Sequence, residues 1–134
     1  MAQLSAPYAN ATTFAFGDSP ELADRLLALV LAGTKTATCG AARDYGASKE
    51  AMPVVGRRDV VLDGAGRPAA VIETVEVTRH LFRDVPEAFA LAEGEGDFRD
   101  WRAGHIDYFE RNGGWSEDLE LVCERFRLIE ALPR

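Results

Sequence analysis

Two cysteines, Cys39 and Cys123, are all the thiols the chain has, and no Cys-x-x-Cys spacing relates them. They read as small buried hydrophobes of a reducing compartment, with one long-range disulfide as the other state open to them. Histidine is as scarce. His80 and His105 stand apart with no ligand pair at helical spacing, so no structural zinc, no metal and no other cofactor is expected. Long apolar runs are missing too: the longest, Leu26 to Ala32, is far too short to span a bilayer, and Asp24 and Arg25 precede it. No basic region leads into an apolar block at the start, which sets the expectation of a cytoplasmic protein without membrane contact and leaves the Asn10-Ala11-Thr12 sequon uninformative. A basic stripe is also lacking. Fifteen Lys and Arg stand against 22 Asp and Glu, a net charge of −7, with the cations scattered except for Arg57-Arg58 and the pair Arg125 and Arg127. Proteins that coat a long phosphate backbone carry the opposite balance, so a small ligand or a few nucleotides fits better.

What is present is the composition of one globular domain: 134 residues, 47% hydrophobic and 28% charged, without repeats or a dividing linker. Residues 1–15 are expected to be an irregular lead-in. Ser19 then reads as a helix cap, Pro20 suits the first helical position and Glu21 favours the N-terminal dipole. Leu22, Leu26, Leu29 and Val30 recur at helical spacing until Gly33 stops the run. Thr36 to Cys39 reads as a short strand and residues 43–58 as a long polar loop. "DVVL", "DGAGRP" and "AAVIETVEVT" read as strand, turn, strand. Asp84 with Pro86 opens a short helix through Ala92, "AEGEGD" breaks it, and "FRDWRAGHIDYFER" is helical with Trp101, Ile106 and Phe109 on its apolar side. "LELVCERFRLIEAL" is a long last strand. The expected class is α+β, a small, mostly antiparallel curled sheet or barrel with helices flanking it.

Two acids fall out of pattern. Strict alternation puts Glu73 on one face with Val71, Val75 and Val77, and Glu124 with Val122, Phe126 and Leu128. A buried carboxylate needs a cation or a hydrogen-bond donor, so each is expected in an internal salt bridge or at a strand end, and otherwise becomes a candidate for a cavity wall. In "AEGEGD", Glu93, Glu95 and Asp97 alternate with glycine. They are able to lend a carboxylate to a cleft or hold a divalent cation, although the ligands of a calcium loop are not all there. Asp97 alone suits the cap of the next helix. Lys35, just past a helix end, is stabilised there by the dipole whether or not it has a further role.

The stretches "FGDSPELADRLLALVLAGTKTATCG", "VVLDGAGRPAAVIETVEV", "AEGEGDFRDWRAGHIDYF" and "LVCERFRLIE" together resemble the ASCH domain family of the PUA-like superfamily, in the family's order, from about Phe16 to Ile129. The resemblance implies a PUA-like β-barrel with flanking helices. It also implies a signature of glycine, lysine, threonine and arginine leaving the first helix. Gly33, Lys35 and Thr38 fill three of its positions, Gly40 stands at the arginine's, and Arg43 is the nearest substitute. Family members are associated with RNA; some resemble amidohydrolases that deacetylate 4-acetylcytidine. Carried over, that branch's catalytic set falls on Lys35, Thr38 and Glu95, with Glu93 in Glu95's place if the loop register slips. The ligand-binding candidates are then Gly33, Arg43, Tyr45, Glu73, Glu93 and Trp115, with Tyr45 and Trp115 able to stack on a base. The implied function is an RNA- or nucleoside-binding domain that hydrolyses an acylated nucleoside. Two alternatives stand beside it, a non-catalytic RNA-binding or adaptor domain and a metal-dependent single-strand ribonuclease using Glu93, Glu95 and Asp97.

Because residues three apart in a regular strand face opposite ways, Lys35 and Thr38 converge only if the chain leaves the helix irregularly.

Overall fold

A computed structural model describes residues 6–46 and 49–134 of the chain. Strand β1 (Thr13–Phe14) is followed by helix α1 (Pro20–Leu31) and strand β2 (Ala37–Ala41). The hairpin β3 (Arg58–Leu62) and β4 (Pro68–Leu81) comes next, then helices α2 (Glu87–Ala92) and α3 (Phe98–Arg111), and strand β5 (Glu120–Ala131). The class is α+β. One mixed sheet has the order β1-β3-β4-β5-β2, with β1 parallel to β3 and every other pair antiparallel. The expected barrel is not closed: β1 and β2 are the two edges, and no pairing joins them among the described residues.

The first helix forms as its sequence dictates. The Ser19 hydroxyl accepts from the Leu22 amide at 3.1 Å, Pro20 opens the helix, and Gly33 leaves it at φ 81°. Ala23, Leu26, Leu27 and Val30 are its buried face, each large side chain contributing about 1.5–3 kcal/mol. Asp97 and Asp100 form a reciprocal capping box at the start of α3. The shorter α2 begins after Pro86, with no side-chain cap, so Asp84 does not open it.

Two expectations about strands are corrected. The lead-in is not wholly irregular, because Thr13 and Phe14 pair with Val60 and Val61 as the sheet's edge strand. Nor does β4 alternate strictly. Its register against β5 shifts between Thr74 and Glu76, which leaves Val75 on the exposed side while Val71 is fully buried. Glu73 is therefore not enclosed by valines. It accepts from Arg58 at 3.0 Å and from Arg127 at 3.1 Å, the arginine pairing expected for it. Glu124 is bonded by the Thr74 hydroxyl instead.

The core divides in a way that creates the site. Helix α1 packs with Phe16, Val61, Ala70, Ile72 and Phe126 into one apolar cluster. Helices α2 and α3 pack with Ala37, Ala41, Phe82, Leu121 and Cys123 into another. Between the two lies a cleft. One side of its rim is tied by Asp18, ahead of α1, which accepts from Arg111 Nε at 3.0 Å and Asn112 Nδ2 at 2.9 Å at the end of α3.

Candidate functional site

The cleft is a cavity of about 840 Å3, walled by α1 and the residues before it, by α3, by β2 and by the loop after α2. Lys35, Thr38, Glu93 and Glu95 all line it. Their convergence depends on an irregular helix exit. The amides of Thr34 and Lys35 both turn back to the Leu29 carbonyl, at 2.9 and 3.1 Å, and Thr36 bonds Ala92 at 2.8 Å. Regular pairing begins only at Ala37, so the two-residue alternation that would separate Lys35 from Thr38 does not apply between them. The acidic loop is clamped on this exit by Gly94, at φ 77°, where a Cβ would stand 2.7 Å from the Thr34 carbonyl.

Lys35 is 2% exposed. Its Nζ donates to the Ala37 carbonyl at 2.9 Å and to Glu93 Oε1 at 3.0 Å; the contacts to the Glu93 carbonyl and to Glu95 Oε2 are longer, 3.5 Å each. The Phe16 ring lies 5.4 Å from the same nitrogen. Burial, the largest single influence, disfavours the ammonium, but the Glu93 and Glu95 carboxylates outweigh it and hold Lys35 above the ordinary lysine value. Glu93, buried as deeply, accepts on its other oxygen from Trp101 Nε1 at 2.9 Å and faces His105 Nε2 at 3.4 Å. Burial pushes its carboxyl up, yet Lys35 and His105 prevail and bring it down to about 2. His105 is raised: burial opposes its charge, while Glu93 favours it more. Its Nδ1 donates to the Trp101 carbonyl at 2.8 Å and its ring stacks on Trp101 with centroids 4.4 Å apart. The floor thus sets an ammonium against a carboxylate, and that carboxylate in turn against an imidazole whose protonated form it favours.

The remaining candidates lie elsewhere. Gly33 ends α1 outside the cavity, with no atom near the position of a Cβ. Arg43 reaches the end of α3, donating to the carbonyls of Asn112 at 3.3 Å and Gly114 at 2.6 Å. Tyr45 lines a neighbouring cavity of about 210 Å3, which shares Phe16, Thr38, Cys39 and Tyr108 with the larger one and includes Glu124. Glu73 is held in its arginine pairs, and Trp115 packs edge-on against Phe82 at 5.4 Å; neither lines either cavity. The sequence reading sets His105 aside as a lone histidine and gives Trp101 only a place on the apolar side of its helix. Their i, i+4 spacing on one helix was the available signal, since it stacks an indole N–H and an imidazole on one face.

Both cysteines are free thiols, although they sit directly opposite each other on β2 and β5. No helix among the described residues is long and apolar enough to cross a membrane.

Comparison with known proteins agrees with this architecture. A solved protein from Enterococcus faecalis V583 superposes with a TM-score of 0.81 at 33% identity, covering 92% of this chain and 83% of its own. The ASCH domain from Lactobacillus crispatus JV V101 gives 0.81 at 29% identity, covering 93% and 86%. ASCH from Zymomonas mobilis, 12% identical, shares the fold alone, with a TM-score of 0.53 over 91% of this chain and 71% of its own. No curated protein matches the chain. The ASCH domain model matches residues 12–130, which takes in all five strands but the last residue of β5, all three helices and every residue on the cleft floor: the chain belongs to the ASCH family.

Proposed function

We propose that the cleft binds a nucleoside, or one unstacked base of a short single-stranded RNA, and removes an acyl group from the base's exocyclic amine, as in 4-acetylcytidine. The observation that carries this reading is the partial commitment of one buried ammonium. Two of the Lys35 N–H bonds are fixed at 2.9 and 3.0 Å, and the third has only longer contacts of 3.5 Å, to the Glu93 carbonyl and Glu95 Oε2, in a cavity that Thr38 also lines. A ligand oxygen that displaces these longer contacts would meet that third donor. The volume of about 840 Å3 lies within the range of small-molecule sites, and the aromatic side chains of Phe16 and Tyr108 are part of its wall.

The charge of Lys35 divides the chemical roles. An ammonium is no base, so it serves the oxyanion that forms at the acyl carbonyl, where a fixed donor in a water-poor site is worth most. Glu95, one-fifth exposed at its side chain, is the group available to take the Thr38 hydroxyl proton. In the first step the Thr38 oxygen bonds to the acyl carbon, the carbon–nitrogen bond breaks, and the amine leaves with the proton that Glu95 received. Glu95 then takes a proton from a water whose oxygen bonds to the acyl carbon, and passes that proton to the threonine oxygen as the ester bond breaks, so that one water is consumed and one carboxylic acid released. The association of the ASCH family with RNA, and the curled sheet as an open relative of the PUA-like barrel, support a nucleic-acid-derived ligand. The net charge of −7 favours a single unit over a long strand.

The test is acetate release from 4-acetylcytidine, measured beside cleavage and binding of single-stranded RNA, with and without a chelator. Thr38→Ala and Glu95→Gln are expected to lower turnover at least about 100-fold while nucleoside binding persists. Release undiminished in both variants, binding of RNA without any turnover, or RNA cleavage lost on chelation would each overturn the proposal.

A further inference from the structure

Beside the ammonium, the cleft floor carries a donor set of which this chemistry uses only Glu93, as the partner that fixes Lys35. The Cys39 thiol, a Glu93 carboxylate oxygen and a His105 ring nitrogen lie within 4.8 Å of one another, the one such donor set of three among the described residues. We propose that Cys39, Glu93 and His105 form a binding site for a borderline-soft divalent cation such as Zn2+ or Co2+, with its fourth position open to the cavity.

Four observations converge. The donors are one sulfur, one nitrogen and one oxygen, the mixture that zinc and cobalt take at about 2.0–2.3 Å in tetrahedral sites. The orientation of the ring is already set: His105 Nδ1 donates to the Trp101 carbonyl at 2.8 Å, which leaves Nε2 as the ligating atom, the outer-shell arrangement of metal-bound imidazoles. Glu93 is steadied in the same way by Trp101 Nε1 at 2.9 Å, while its contact to His105, at 3.4 Å, is the long one that an ion would replace. Finally, all three residues line the cavity, so three protein ligands leave one position for water or substrate.

The neighbouring ammonium does not forbid the ion. The Lys35 ammonium is met on this floor by two carboxylates, Glu93 at 3.0 Å and Glu95 at 3.5 Å. A divalent cation would be held by Cys39 as the thiolate and His105 as the neutral imidazole, so the thiolate adds a third negative group beside those carboxylates. Three negative groups then face one ammonium and one divalent ion, which leaves no uncompensated buried charge. This inference does not rest on the acyl-hydrolase reading, and its readout is absorbance, not turnover.

The full chain, reduced and stripped of metal, is titrated with Co2+ alone. The expected result is one ion per chain with thiolate-to-cobalt charge transfer in the near ultraviolet, displaced by Zn2+. Cys39→Ser removes the charge-transfer band, His105→Asn weakens binding by at least the about 10–100-fold that loss of an outer-shell partner costs, and Cys123→Ser changes neither. Circular dichroism confirms that each variant is folded. No charge-transfer band up to millimolar Co2+, or a band that survives Cys39→Ser or is lost in a folded Cys123→Ser, overturns the site. Absence of the band together with intact acetate release removes the metal and leaves the hydrolase; the band without acetate release does the reverse.

Discussion

Gly40 stands where the family resemblance calls for arginine, and a local contact explains why no side chain is there. A Cβ on Gly40 would lie 2.6 Å from the Tyr45 hydroxyl and 3.2 Å from two ring carbons. The tyrosine has taken the space an arginine would use, and Arg43, the candidate substitute, is spent on the end of α3. Gly40→Ala is therefore expected to cost about 1–3 kcal/mol through overpacking. Tyr45→Phe removes the closest atom and should restore part of that loss in the double variant. Urea melts of the four proteins give the coupling directly, and simple additivity would show that the phenol is not what excludes the side chain. Lys35 makes the same point about residues. Its number and type were plain in the sequence, but its protonation was not, because burial and two carboxylates act on it in opposite directions and only their positions decide the balance.

At the scale of elements, the helices carry their own instructions and the strands carry theirs less fully. Ser19, Pro20 and Gly33 bound α1, and Asp97 opens α3, because capping is chemistry between residues three or four apart. Asp97→Ala is expected to cost about 1 kcal/mol, from loss of the box that seats α3 behind the acidic loop. Thermal unfolding measures this, and an unchanged midpoint would mean that packing alone fixes the helix start. The four longer strands were found, but the alternation of β4 was misread and β1 was missed. Bulges at Val71/Ile72 and Thr74/Glu76 shift the register that strict alternation assumes, and the two-residue β1 is too short to show a pattern.

For the molecule as a whole, stability at low pH depends on a carboxylate far from the cleft. Asp63, almost fully buried at the hairpin turn, accepts from the amides of Ala65 and Arg67, both at 2.9 Å, and from the side chains of Arg67 at 3.0 Å and Arg134 at 3.1 Å. It thereby joins the turn to the end of the chain. The Arg67 amide, the strongest influence, outweighs burial with the help of Arg134 and brings its value from 3.8 to about 2. Because the folded value is depressed, the stabilisation is complete above 3.8 and is lost as pH falls through about 2. Asp63→Asn should accordingly be less stable than the parent at neutral pH, with the gap closing across that window. A gap that stays constant in acid would show that the carboxylate's charge is not the cause.

The sequence alone determined the helices with their caps, the hairpin, the α+β class and the family resemblance, since each is written in residues close together or in a motif order. It also brought Lys35, Thr38 and the loop glutamates forward as a set. Only the tertiary structure decided that the sheet stays open and that Glu73 and Trp115 lie away from the cleft. It alone also set His105 and Cys39 beside Glu93, three residues that the sequence places far apart or gives no common spacing. The reason is physical: capping and periodicity act over one or two turns of backbone, whereas the charge on a buried amine and the company of a thiol depend on which distant elements the packing brings within a few ångströms.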